Sequence, residues 1–352
     1  LAETLDYDQW TVTRRFDPYR PLYKFALDDE AGTIVYVSSK TGEIVQNATR
    51  SERFWNWLGA VPHWIYFSPI RKDGEVWRQA VMWLSGPLVI GAVTGLWIGI
   101  LRLRIRRPYA RGRMTPYRGW MKWHHIGGLV GGLFLTTWIA SGWLSVNPFA
   151  LFARTTFSDV QRVAYAGWSE GKPYGVSPAA IEQAGHAAPS EISFLWIGGE
   201  VRLLAYGKDG PVMADPQSGL PAQIADAALI AAAEGAYPAA SVVAAARLTS
   251  EDLYWYSHHH KRALPILRVQ FDDPEATWLF LDPATGAIAA VSDRSARIYR
   301  WLFNFLHDYD LPVLLRNQPA RDIVVWLLSI AGLVVSVSGV VIGWRTLRRQ
   351  TS

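Results

Sequence analysis

Cysteine is absent from all 352 residues. That excludes iron–sulfur clusters, thiolate zinc sites, thiol nucleophiles and covalent CxxCH haem attachment. It sets no redox compartment, because a cysteine-free chain is content on either side of a membrane. Any metal or cofactor must be held by His, carboxylate, Met, Tyr or backbone, so the eight histidines are the residues to follow. Charge is also scarce, at 18% of residues, against 50% hydrophobic. Mean hydropathy is nevertheless only +0.06, so the apolar residues must be concentrated in segments. There is no GxGxxG strand–turn–helix and no P-loop, so nucleotide binding within this chain is not expected.

Three long stretches carry no charge: Ala80–Leu101, Ile126–Val146 and Ile323–Trp344. At 1.5 Å per residue each covers roughly 30 Å, the hydrocarbon thickness of a bilayer. The segment between the first two holds Arg102, Arg104, Arg106, Arg107, Arg111, Arg113, Arg118 and Lys122 with no acidic residue. Arg345, Arg348 and Arg349 follow the third. The positive-inside rule places both basic segments in the cytoplasm. The expected order is an outer module at 1–75, a span at 76–103, a basic cytoplasmic loop at 104–122 and a span at 123–146. An outer region at 147–321, a span at 322–344 and a cytoplasmic tail at 345–352 complete it. Topology accounts for the basic cluster, so nucleic acid is not an expected partner. The setting is a bacterial inner membrane, with the lipid bilayer around the spans and large domains in the periplasm. Glycines and serines at spacings of three and four line the spans, among them Gly91, Gly95 and Gly99, then Gly127, Gly128 and Gly131. They serve close helix packing or the accommodation of a flat cofactor.

The chain also resembles itself. Thr41-Gly42-Glu43-Ile44 matches Thr285-Gly286-Ala287-Ile288, and Arg53, Trp57, Leu58 and His63 match Arg297, Trp301, Leu302 and His307, all displaced by 244 positions. The second copy opens with the span Ile126–Val146, preceded by His124 and His125. A corresponding helix is therefore expected before Leu1, giving four spans in two repeats of helix, outer domain, helix. A turn signature recurs at Ser38–Gly42, Asp215–Gly219 and Asp282–Gly286, where glycine supplies positive φ between two strands. Helices are expected over Ser177–His186 and Ala225–Glu234. Strands are expected at Ile192–Trp196, Val201–Ala205, Leu267–Phe271 and Thr277–Leu281. The fold class is an α+β membrane protein, a transmembrane helix bundle bearing small α+β extracytoplasmic modules with a two-fold internal repeat.

These pieces resemble the PepSY-associated transmembrane proteins over almost the whole chain. The resemblance rests on the Asp-Pro-x-[Ser/Thr]-Gly turns, Arg300-Trp301-Leu302 with Leu306-His307, Trp123-His124-His125-Ile126-Gly127-Gly128, and Ser141-Gly142-Trp143-Leu144-Ser145-Val146-Asn147-Pro148. The ferrisiderophore reductase branch is most similar. The resemblance implies PepSY-like outer modules, haem b in the membrane domain, and iron taken from ferric siderophores by reduction.

With that implication, His63 and His307 are candidate axial ligands of one haem towards the outer side, being equivalent in the repeat. His124 and His125 are candidates towards the cytoplasmic side. Successive helical residues point about 100° apart, so one or both can serve. An electron must cross roughly 30 Å of hydrocarbon. Two haems at two depths divide that distance into shorter hops. His258 and His260 could form an outer-domain metal site, or a polar hairpin edge. His186 reads as structural. The electron donor is a cytoplasmic reductase or a membrane quinol. The other readings are a non-enzymatic PepSY sensor or binding protein, and a permease subunit for iron or siderophore uptake.

Overall fold

The computed structural model describes residues 2–153, 155–186, 189–208, 210–258 and 261–350. The chain forms two compact units, one of Leu1–Pro148 with Leu327–Ser352 and one of Phe149–Trp326.

In the first unit β1 (Ala2–Leu5), β2 (Leu22–Ala26), β3 (Ile34–Ser38) and β4 (Ile44–Ala48) make an antiparallel meander in sequence order. Its small core is Phe16, Leu22 and Tyr36. The meander ends in a capping box. Thr49 accepts from the Glu52 amide and the Glu52 carboxylate accepts from that of Thr49, opening the helix Arg50–Leu58.

Among the described residues three helices are long and apolar enough to cross a membrane: Gly74–Arg102, Gly119–Ser145 and Gln318–Gln350. The first and third contain an uncharged stretch whole and extend beyond it; the second starts seven residues before Ile126 and stops at Ser145, one residue short of Val146. Asp73 caps the first by accepting from the Glu75 and Val76 amides, which starts the helix in polar sequence before Ala80. The third continues through Arg345, Arg348 and Arg349, whose charge suits a helix C-terminus. Large apolar side chains such as Leu88, Ile90, Trp97, Leu133 and Val340 stay exposed along these helices, as expected where lipid is the solvent. The glycine faces divide into two kinds. A Cβ at Gly131 would lie 2.8 Å from Ala331 Cβ, and one at Gly127 would lie 3.1 Å from Val334, so these permit close helix approach. Gly91 and Gly95 look onto open space.

In the second unit β5 (Glu191–Ile197), β6 (Glu200–Gly207) and β7 (Gly210–Ala214) form one antiparallel sheet, with the helix Pro178–Gly185 packed on it. A second sheet has the order β11-β10-β9-β8, with β8 at Val242–Leu248, β9 at Ile266–Phe271, β10 at Trp278–Leu281 and β11 at Ile288–Ser292. Leu267, Val269 and Phe271 alternate along β9 and bury one face under the helix Asp226–Ala236. Ile266 and Phe280 bury the other face with Trp255.

The two four-stranded meanders carry matching local bonds. Arg53 donates to the carbonyls of Ala48 and Gly32; Arg297 donates to those of Ser292 and Ala276. Asp29 accepts from the amide and hydroxyl of Thr33, as Asp273 does from Thr277. The register slips between Tyr36 and Val37, and between Phe280 and Leu281. Every pair is displaced by the 244 positions read from the sequence.

All three expected turns close with a glycine amide donating four residues back: Gly42 to Ser38, Gly219 to Asp215 and Gly286 to Asp282. Their φ values are +75°, +69° and +69°. The middle turn departs from expectation on its downstream side, where the chain returns only as an isolated bridge from Ala214 to Pro221. Pro221 cannot donate to a ladder, so no strand continues. At Gly219 a Cβ would also collide with the Ala180 carbonyl oxygen, which is backbone and cannot swing away. Gly219→Ala is expected to cost about 1–3 kcal/mol in strain, seen as a lower unfolding midpoint.

Candidate functional site

The helix Gly119–Ser145 presents His124 and His125 in its second turn, and the two rings diverge to different neighbours. His124 Nδ1 lies 3.2 Å from the Val335 carbonyl and 3.1 Å from Ser338 Oγ on the third long helix. A carbonyl can only accept, and Ser338 Oγ already donates to the carbonyls of Val334 and Val335. These partners call for a proton on Nδ1, which in the neutral ring leaves the lone pair on Nε2. Gly339 makes room for this ring, since a Cβ there would lie 3.4 Å from His124 Cε1.

His125 is turned towards the first long helix and is 7% exposed. Its Nε2 lies 2.8 Å from the Gly99 carbonyl. That oxygen is one of the four carbonyls left over at the helix end, because the Leu103 amide bonds Ile100 instead. His125 thus closes the C-terminus of the neighbouring helix. Its Nδ1 is buried and has no hydrogen-bond partner among the described residues. Tyr117 packs edge-on against the ring at 5.2 Å.

His63 ends the short helix Ala60–His63 in the first unit and is exposed. His307 belongs to the second unit. It lies in the short helix Leu306–Asp308 that follows the π-helical turn Arg300–Phe305, and its ring stacks on Phe303 at 5.0 Å with planes 16° apart. Phe303 stacks in turn on Tyr299 at 5.3 Å. A π turn widens the helix by one residue, which rotates everything after it.

His258 meets two carboxylates that spacing in the sequence did not suggest. The ligand-type atoms of His258, Asp308 and Asp310 lie within 4.8 Å of one another. His258 Nδ1 is 3.3 Å from Asp310 Oδ2, which also accepts from the Tyr256 hydroxyl at 2.9 Å. The Asp310 side chain is wholly buried. Arg321 Nη2 lies 3.0 Å from His258 Nε2 and donates to the Asp308 carbonyl; Arg300 Nη2 donates to the Asp310 carbonyl. Burial, followed by the Asp310 charge, pushes the Tyr256 phenol well above its ordinary range, so it stays a donor. The donor set could suit a divalent cation, but the Arg321 guanidinium already occupies the lone pair of Nε2. A second positive charge there would be repelled, so the arrangement is better described as an ion-paired knot. His259 and His260 lie outside the described residues. His186 caps the helix Pro178–Gly185 at its C-terminus.

Sequence reasoning missed Asp308, Asp310, Arg300 and Arg321 in this knot. The nearest signal was the pair of acidic residues flanking Tyr309, which adopts left-handed φ of +54° and so turns both inwards. No protein-family model matches this chain, and no curated protein matches it either.

Proposed function

We propose that this chain is a haem-carrying reductase of the bacterial inner membrane, passing electrons outward to ferric siderophores in the periplasm and releasing Fe(II). The observation that carries the reading is the pose of His124. An imidazole among apolar helices, with Nδ1 tied to a backbone carbonyl and Nε2 left with its lone pair, is set up as a neutral ligand. Ionisable groups inside a membrane are costly to keep without a use.

The donor set fits haem b at His124, whose Nε2 is left as the ligand nitrogen. His124 is the better inner-side ligand, because His125 is committed to the Gly99 carbonyl. His63 and His307 are the outer-side candidates, and their equivalence is supported by the bonds that the two meanders share. The same correspondences, with the three glycine turns, support a duplicated PepSY-like architecture. The arginines between the first two long helices favour a cytoplasmic loop there. A haem iron supplies one-electron carriage between its ferric and ferrous states. The protein's own part is to fix imidazole tautomers, to exclude water with apolar helices and to hold ligands at two depths. Reduction of the bound Fe(III) weakens its hard-oxygen coordination, which frees the metal.

The test is the spectrum of the purified full-length protein. Two haems b per chain are expected in a reduced-minus-oxidised difference spectrum. A colourless preparation from haem-replete cells would remove the reading and leave a non-enzymatic sensor.

A further inference from the structure

The first unit contains a cavity of about 690 Å³, within the usual size range of ligand pockets. Its chemistry is unlike that of a packing defect. Arg14, Arg15, Arg53 and Arg71 all line it, and among the described residues none is ion-paired with a carboxylate. The one acid in the lining, Glu52, is tied into the Thr49 capping box. Asp73 and Glu75 act on Arg14 only from beyond ion-pair distance. Trp10 and Trp64 add flat apolar walls.

Two residues of the lining, Thr13 and Arg71, also hold buried atoms, Oγ1 and Nε, with no hydrogen-bond partner among the described residues. Buried polar groups are almost always satisfied, so two orphans within residues that line one cavity are unusual, and a small side-chain shift would bring them to a polar guest. Arg71 Nε can only donate and the Thr13 hydroxyl is able to donate, and the guest that suits such donors amid four guanidinium groups is an anion. Two residues of the short helix that ends in His63, Ala60 and Val61, also line the cavity.

We infer that this cavity binds an anionic ferric chelate, one whose iron is wrapped by catecholate or carboxylate oxygens, in preference to a neutral hydroxamate complex. The iron in this statement rests on the proposed reductase function; the sign of the ligand's charge rests on the cavity alone. Arg14 and Arg15 act through charge at the exposed rim. Arg53 also supports the sheet through its bonds to Ala48 and Gly32, so it is a poor probe.

Gallium(III) complexes separate binding from electron transfer, because gallium is not reduced. Calorimetric titration of the full chain in detergent would compare an anionic tris-catecholate complex with a neutral tris-hydroxamate complex. The anionic complex is expected to bind at least tenfold more tightly, with affinity falling as salt is raised. The double substitution Arg14→Gln, Arg15→Gln is expected to weaken it at least tenfold, while Arg14→Lys, Arg15→Lys retains most of the affinity. Equal binding of both complexes would overturn the inference. So would an unchanged affinity in the glutamine variant, or citrate binding as tightly as the chelate, which would mark a simple anion site. A protein that binds the anionic gallium complex but carries no haem would leave this inference standing and remove the reductase.

Discussion

Replacing His124 by alanine is expected to halve the haem carried per chain and to abolish electron passage across the bilayer. The substitution removes the imidazole whose Nδ1 is tied to Val335 and Ser338, and with it the inner of the two proposed relay positions. The remaining site would face a gap approaching the full hydrocarbon thickness of roughly 30 Å. Stability should change far less, since the lost bonds are worth about 1 kcal/mol each. His125→Ala separates ligation from packing. It leaves the Gly99 carbonyl without its partner, at a cost of about 1–3 kcal/mol, and should keep both haems. Pyridine haemochrome assays on the two variants read this directly. Equal haem loss in both would assign the ligand role to the pair, and loss in His125→Ala alone would move it to His125. His63→Ala and His307→Ala should each cost the other haem, with the same spectral band affected.

Asp310→Ala is expected to give the largest loss of stability in the second unit. The carboxylate is wholly buried and faces His258, the Tyr256 hydroxyl and, at 4.0 Å, Arg321. Removing one partner of a buried ionic network strands the others in a poorly solvating place, at about 3–5 kcal/mol. For a unit of this size that corresponds to a fall of roughly 6–20 °C in the unfolding midpoint. Asp310→Asn keeps an acceptor for Tyr256 and should lose less. Haem content should be unaffected in either variant if the knot is structural, which distinguishes it from the four candidate ligands.

The parts of the fold legible in the sequence were those encoded locally. Each membrane-length helix announces itself as a run without charge, and each glycine turn as a position that only positive φ can satisfy. Arg53 and Arg297, 244 positions apart, each hold two backbone carbonyls beside a capped helix, a local likeness at two of the residues matched in the sequence. The parts that could not be read were those decided by distant partners. Val242–Leu248 is alanine-rich and mostly exposed, a poor strand on its own; it is one because β9 supplies the ladder. The split between His124 and His125 depends on which helix each ring meets, Gln318–Gln350 or Gly74–Arg102. Neither neighbour is close in sequence. The knot around Asp310 joins residues some fifty positions apart in one buried cluster, and the π turn that rotates His307 has no composition signal.

Vectorial electron transfer in proteoliposomes tests the central claim most directly. Dithionite would be sealed inside vesicles carrying the full-length protein oriented with its arginine loop inward, and a ferric chelate with a ferrous-iron indicator supplied outside. The account predicts Fe(II) appearing outside with wild-type protein and none above leak with His124→Ala. Fe(II) formed at the same rate by the variant, or by vesicles whose protein holds no haem, would contradict it.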